Sequence, residues 1–144
     1  RVVAVSGGGA YNLAITADGA LWSWGEGDYG QLGHGNQQTQ LLPKKVEAFA
    51  GRRVVAVSAG EDHSIAITAD GAVFTWGKGE TGCLGHGEDQ SHQLLPKKVE
   101  ALAGQRVVAV SAGVYHSLAR TADGEDFAWG HGGDSCLGHG EDLS

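Results

Sequence analysis

Apolar residues alternate with small ones in short bursts, and glycine-containing turns separate the bursts. In the middle of the chain three bursts read VVAVS, HSIAIT and AVFTWG, and a fourth, less regular, reads LLPKKV. Alternation over five or six residues marks β-strands, and no stretch sustains a helical period. The pattern predicts strands over Val54 to Ser58, His63 to Thr68, Ala72 to Trp76 and Leu94 to Val99. The KKVEALAG stretch hints at helical spacing but is too short to hold a helix alone.

The bursts recur. RVVAVS begins at Arg1, Arg53 and Arg106, LGHG at 32, 84 and 137, and LLPKKVEA at 41 and 94. Trp24, Trp76 and Trp129 each precede a glycine and are spaced by 52 and 53 residues. A unit of about 50 residues with four short strands is the signature of a β-propeller blade rather than a helical solenoid. The expected fold is all-β: a partial β-propeller of about three four-stranded antiparallel blades, spanning 1–52, 53–105 and 106–144. The third is expected to lack its last strand, because its LLPKKVEA segment is missing.

The sequence also sets a strand register. Ala69-Asp70-Gly71 fits a three-residue hairpin loop with Gly in the left-handed region. Ile67 then faces Val73, Ala66 faces Phe74 and Ser64 faces Trp76. One sheet face carries Ile65, Ile67, Val73 and Thr75, and small residues oppose bulky aromatics on the other. Two apolar faces are what a blade sandwiched between neighbours requires.

Composition narrows the partners. Of 144 residues 25 are Gly, without a collagen period, and 41% are hydrophobic, which suits many tight turns around a packed core. A net charge of −7 with 10 Lys plus Arg argues against direct nucleic-acid binding, which needs a basic stripe. No run of 18 apolar residues suggests a membrane span. Two Cys make no disulfide framework, so an intracellular, reducing compartment is preferred. The missing initiator Met suggests a piece of something longer, or a chain whose start was removed.

The segments VVAVSAGEDHSIAITADGAVFTWGKGETGCLGHG and LLPKKVEALAG resemble the repeat of the regulator of chromosome condensation family, including its plant UV-B photoreceptor relatives. The likeness covers essentially the whole chain. It implies a propeller that closes with seven blades, of which this chain would supply about three. Members of that family include an exchange factor for the GTPase Ran that also binds chromatin, the photoreceptor, segments of large ubiquitin ligases and a secreted inhibitor of β-lactamases. What they share is a rigid disc that presents loops to a protein partner. The resemblance therefore implies a non-enzymatic protein-interaction scaffold without a cofactor, the alternative being a guanine-nucleotide exchange factor fragment for a small GTPase. Photoreception is a weaker alternative: the light-sensing tryptophans lie in a Gly-Trp-Arg-His segment, where this chain has GGAYN, GEDHS and GVYHS. No insertion corresponding to the exchange factor's β-wedge breaks the repeat spacing.

Several constellations could carry chemistry. Gly25 to Gly30 and Gly77 to Gly82 satisfy GxGxxG, but a dinucleotide site needs those glycines to open a helix, and more loop follows here. Cys83, His86, Cys136 and His139 have zinc-like spacing, yet the first unit has Gln31 in the Cys position. His63 and His116 share a register with Tyr11 and are expected to be structural, bonded to neighbouring backbone. Trp24, Trp76 and Trp129 are expected in the core. The loop acids Glu26, Asp28, Glu80, Glu88, Asp89, Asp134, Glu141 and Asp142 are the candidate surface for a protein partner with basic character.

Three blades leave the terminal blades with uncovered apolar faces, so self-association through them is expected. One pair stands apart. Where the other units have Ile15 with Leu21 and Ile67 with Val73, the third has Arg120 with Asp126. The register predicts a salt bridge on a face that is partly wet or touches a partner.

Overall fold

The computed structural model describes residues 1–79, 84, 92–113 and 116–130. The first sheet is β1 (Val2–Gly7), β2 (Tyr11–Thr16), β3 (Leu21–Gly25) and β4 (Gln40–Lys45). The second is β5 (Val54–Ala59), β6 (His63–Thr68), β7 (Val73–Gly77) and β8 (Gln93–Lys98), and the third is β9 (Val107–Ala112), β10 (His116–Thr121) and β11 (Asp126–Gly130). Each sheet is an antiparallel meander in chain order, with three strands in the last among the described residues. This is a partial β-propeller of three blades.

Strand ends differ slightly from the sequence expectation. β5 extends to Ala59, β7 begins at Val73 rather than Ala72, and β8 ends at Lys98 rather than Val99. Val99 turns inward, its N–H bonded to the Val73 carbonyl at 2.8 Å, and starts a single 3-10 turn at Glu100–Leu102. Glu47–Phe49 repeats this in the first blade. The helical hint in KKVEALAG is therefore one turn that drops Leu102, like Phe49 before it, into the seam between blades.

The hairpins have the expected register: Ile67 pairs with Val73, Ala66 with Phe74 and Ser64 with Trp76. Gly19, Gly71 and Gly124 hold the left-handed conformation, with φ of 85°, 86° and 90°. In each loop the Thr hydroxyl donates to the Asp carboxylate two residues on, Thr16 to Asp18, Thr68 to Asp70 and Thr121 to Asp123. That bond holds each exposed carboxyl below its ordinary range. The innermost strands carry a feature that alternation does not announce. The register slips between Val2 and Ala4, between Val54 and Ala56, and opposite Arg120 and Thr121, as a bulge does. The slip leaves Val3, Val55 and Val108 exposed at one repeat position.

Two cores fill the seams. Tyr11, Leu13, Ile15, Leu21, Leu32, Val46 and Phe49 of the first blade meet Val54, Ala66, Phe74 and Trp76 of the second. Ile65, Ile67, Val73, Val99 and Leu102 then meet Val107, Ala119, Phe127 and Trp129 of the third. The seams are also fastened by polar bonds. The Ser6 hydroxyl accepts the Ala59 N–H at 2.9 Å, and the Ser58 hydroxyl accepts the Ala112 N–H at 3.0 Å. Backbone approaches backbone there: a Cβ on Gly60 would sit 2.4 Å from the Gly113 carbonyl oxygen. Only glycine permits that contact.

Candidate functional site

Loops after the third strand of one blade and between the first two strands of the next meet at one edge. Gly25 bends the chain out of β3, and the Glu26 N–H is tied to the Ala10 carbonyl at 2.9 Å. Gln31 shapes the following turn: its side-chain carbonyl accepts the Tyr29 N–H at 2.9 Å, and its amide donates to the Asp28 carboxylate at 3.4 Å. Glu26 and Asp28 therefore project from an ordered loop, both exposed. The charge of Asp28 raises the Glu26 carboxyl above its ordinary range, and a hydrogen bond between the two acts in the same direction.

Asp62 joins them from the next blade. Its carboxyl is raised first by partial burial, with Glu61 and Asp28 adding repulsion and the Lys78 ammonium opposing. Lys78 also lies over the Tyr29 ring, 4.7 Å from its centroid, and Tyr29 meets the His92 ring edge-on at 5.3 Å. The edge thus brings carboxylates from two blades close enough to repel one another. Glu61 and Asp62 are not among the acids expected from the sequence. Their signal was position, since a loop between the first and second strands lies on the same edge as one after the third. Glu80, Glu88, Asp89, Asp134, Glu141 and Asp142 lie outside the described residues.

His63 is built into a seam between blades. His63 is buried, with its Nε2 3.1 Å from the Ser117 hydroxyl of the next blade, and burial pushes its pKa down to about 4. Tyr11, in the same register one blade earlier, donates its hydroxyl hydrogen to the His63 carbonyl and accepts from Ser64 at 3.0 Å. Its bonds, like those of His63, cross to the next sheet rather than staying within one. His116 is half-buried on the third blade. His34 sits 2.9 Å from the Ser23 hydroxyl, and burial lowers its pKa. Ser117 and Ser23 are themselves buried, so neither serine-histidine contact offers a nucleophile to solvent.

Trp76 and Trp129 are fully buried, and the Trp76 indole donates to the Gln31 carbonyl at 2.8 Å. Trp24, expected in the core, is only half-buried. Residues 25–33 form turns with no helix behind them, so the first GxGxxG has no helix N-terminus to meet a pyrophosphate. Most of the second copy, and Cys83, His86, Cys136 and His139, lie outside the described residues. Among the described residues no group of three or more His, Cys, Asp or Glu could hold a metal ion, and no helix is long and apolar enough to cross a membrane.

Arg120 and Asp126 face each other across β10 and β11. The Arg120 Nε donates to Asp126 Oδ1 at 2.7 Å and its Nη2 donates to Oδ2 at 3.1 Å. This bidentate pair raises the guanidinium pKa further.

The profile of the regulator of chromosome condensation (RCC1) repeat matches residues 18–67 and 70–120, and a second profile of that repeat matches 2–31, 54–83 and 107–136. The human E3 ubiquitin-protein ligase HERC2 is 42% identical over 138 residues, covering 96% of this chain and 3% of that protein. The ultraviolet-B receptor UVR8 of Arabidopsis thaliana is 37% identical over 142 residues, covering 98% of this chain and 32% of the receptor. Among solved structures, human WBSCR16 superposes with a TM-score of 0.87 at 28% identity, over 95% of this chain and 36% of that one. Prp20p of Saccharomyces cerevisiae, described with its binding properties to Gsp1p and histones, superposes with a TM-score of 0.81 at 30% identity, over 98% of this chain and 35% of that one. The chain spans a third or less of the curated relatives named here.

Proposed function

This chain belongs to the regulator of chromosome condensation (RCC1) repeat family, and on that premise we propose that it is a non-enzymatic scaffold that binds a basic protein partner along its loop edge. The observation that carries this reading is the crowding of Glu26, Asp28 and Asp62 from two blades, where repulsion by Asp28 raises the Glu26 carboxyl and partial burial raises that of Asp62. A cationic partner relieves that repulsion, so binding supplies a favourable electrostatic term. Prp20p, similar over nearly the whole chain, is described as binding Gsp1p and histones, which fits a partner of protein nature. The ubiquitin ligases among the relatives extend far beyond the matched region, so their enzymatic class does not carry over to these residues.

The test is binding of a basic polypeptide, such as a histone tail, to the immobilised chain as salt is raised. Glu26→Gln with Asp28→Asn is expected to weaken binding by about tenfold at low salt and to flatten the salt dependence. Unchanged binding would overturn the assignment. The same likeness to Prp20p favours the second reading, an exchange-factor fragment for a small GTPase. Nucleotide release from a panel of small GTPases separates the two, since the scaffold leaves every release rate unaltered.

We also propose that copies of the chain meet through the uncovered face of the first blade. Val2 and Val5 are 56% and 64% exposed there, and Leu41 is 89% exposed.

A further inference from the structure

The two internal seams show what a following blade does to the outer hairpin pair of the blade before it. Ile15 and Leu21, and Ile67 and Val73, are at most 2% exposed. In the third blade those positions hold Arg120 and Asp126, whose side chains are 60% and 39% exposed. With Ala109, Leu118 and Ala128 they line an open cavity of about 320 Å³.

The internal seams also show what arrives over that pair. The Val54 N–H bonds to the Gly19 carbonyl at 2.9 Å, and the Val107 N–H to the Gly71 carbonyl at 3.3 Å. Both valines are buried in the clusters that hold the outer pairs. Arg53, just before Val54, reaches back to the Ala17 carbonyl at 3.1 Å. A second copy docking its first blade onto the third in this way would bring Val2 over Arg120 and Asp126 and Arg1 against the hairpin loop that joins their strands. Val2 has no acceptor in its side chain, and Arg1 adds another cation. Such a cover would strip water from the guanidinium N–H groups that Asp126 does not satisfy, a cost that apolar contact does not offset.

The third-blade face is therefore unlike the first-blade face that the repeat would pair with it. The carboxylate already neutralises the guanidinium through both oxygens, so a further acid would bury excess charge. We infer that this face takes a sheet presenting a neutral hydrogen-bond acceptor, an amide or main-chain carbonyl, opposite Arg120, and that it refuses the first-blade face of a second copy. The inference rests on the scaffold reading only in treating the face as one that becomes covered, and its test does not involve the loop acids.

For the test, the chain carrying Val5→Asp and Leu42→Glu, which closes its own first-blade face, is immobilised, and unmodified chain is passed over it. Replacing Arg120→Ile and Asp126→Val in the immobilised chain restores the apolar pair and is expected to tighten capture by at least about tenfold. Passing the Val2→Gln chain over the immobilised chain with its native pair is expected to give a gain of similar size. Tryptophan emission of each variant confirms that its seams are intact, and Arg120→Leu with Asp126→Leu serves as a second apolar pair. Capture of unmodified chain by the native pair as tight as by either apolar pair would overturn the refusal. No gain from Val2→Gln would overturn the assignment of the acceptor.

Discussion

At the scale of single residues, function and stability separate by where a proton can go. His63 is buried with a pKa of about 4, against 6.5 for the free side chain. Between those values the unfolded chain takes up a proton that the folded chain excludes, so stability falls as pH drops from about 6.5 towards 4, by up to about 3 kcal/mol. Tyr11 fills the same register with a phenol in place of an imidazole, so His63→Tyr is expected to remove most of this slope in urea unfolding followed at pH 7 and pH 4.5. The hairpin carboxylates act in a separate window. Their depressed values make their contribution present above about pH 4 and lost only below it. Glu26 and Asp62 run in the opposite direction, and a bound cation would draw both carboxyls back down. Binding of a basic partner is thus expected to strengthen as pH rises through the carboxylate range, which a titration at constant ionic strength would detect. Glu26 and Asp28 are legible in the sequence because the hairpin register puts them in the loop that follows the third strand. For Asp62 the sequence offers only its loop position, because the Asp28 charge that acts on it comes from another unit.

At the scale of elements, glycine placement and alternation made the blade hairpins legible. A three-residue loop with Gly at its end fixes which side chains oppose, and this alone placed Arg120 against Asp126. The bulge in each innermost strand was not legible, because VVAV offers the same side-chain type on either side of the slip. The polar seam was equally hidden. Ser6 and Ser58 look like ordinary strand residues until the amides of Ala59 and Ala112 arrive from the next sheet. Gly60 is the most exacting position in that seam, since an added methyl would meet both the Gly113 carbonyl at 2.4 Å and the His63 ring at 2.8 Å. Gly60→Ala is expected to cost about 1 to 3 kcal/mol in denaturant unfolding as the blades are forced apart. A change below about 0.5 kcal/mol would mean that the second and third blades are not held in this contact.

At the scale of the whole molecule, three blades share two closed seams and leave two unlike faces. Val2, Val5, Leu41 and Leu42 on the first blade are expected to draw copies together, whereas the Arg120–Asp126 pair keeps that partner off the third. Light scattering over a tenfold dilution should show the apparent mass falling, and Val5→Asp with Leu42→Glu should leave a monomer throughout. A monomer without those substitutions would remove the first-blade face as a docking surface. Amide hydrogen exchange with and without a basic polypeptide tests the rigid seams and the binding edge together. The amides of Ala59 and Ala112 should exchange slowly in either state, and protection gained on binding should be confined to the loops carrying Glu26, Asp28 and Asp62. Rapid exchange at Ala59 and Ala112, or protection that appears on the strand faces instead of the loop edge, would contradict the scaffold reading.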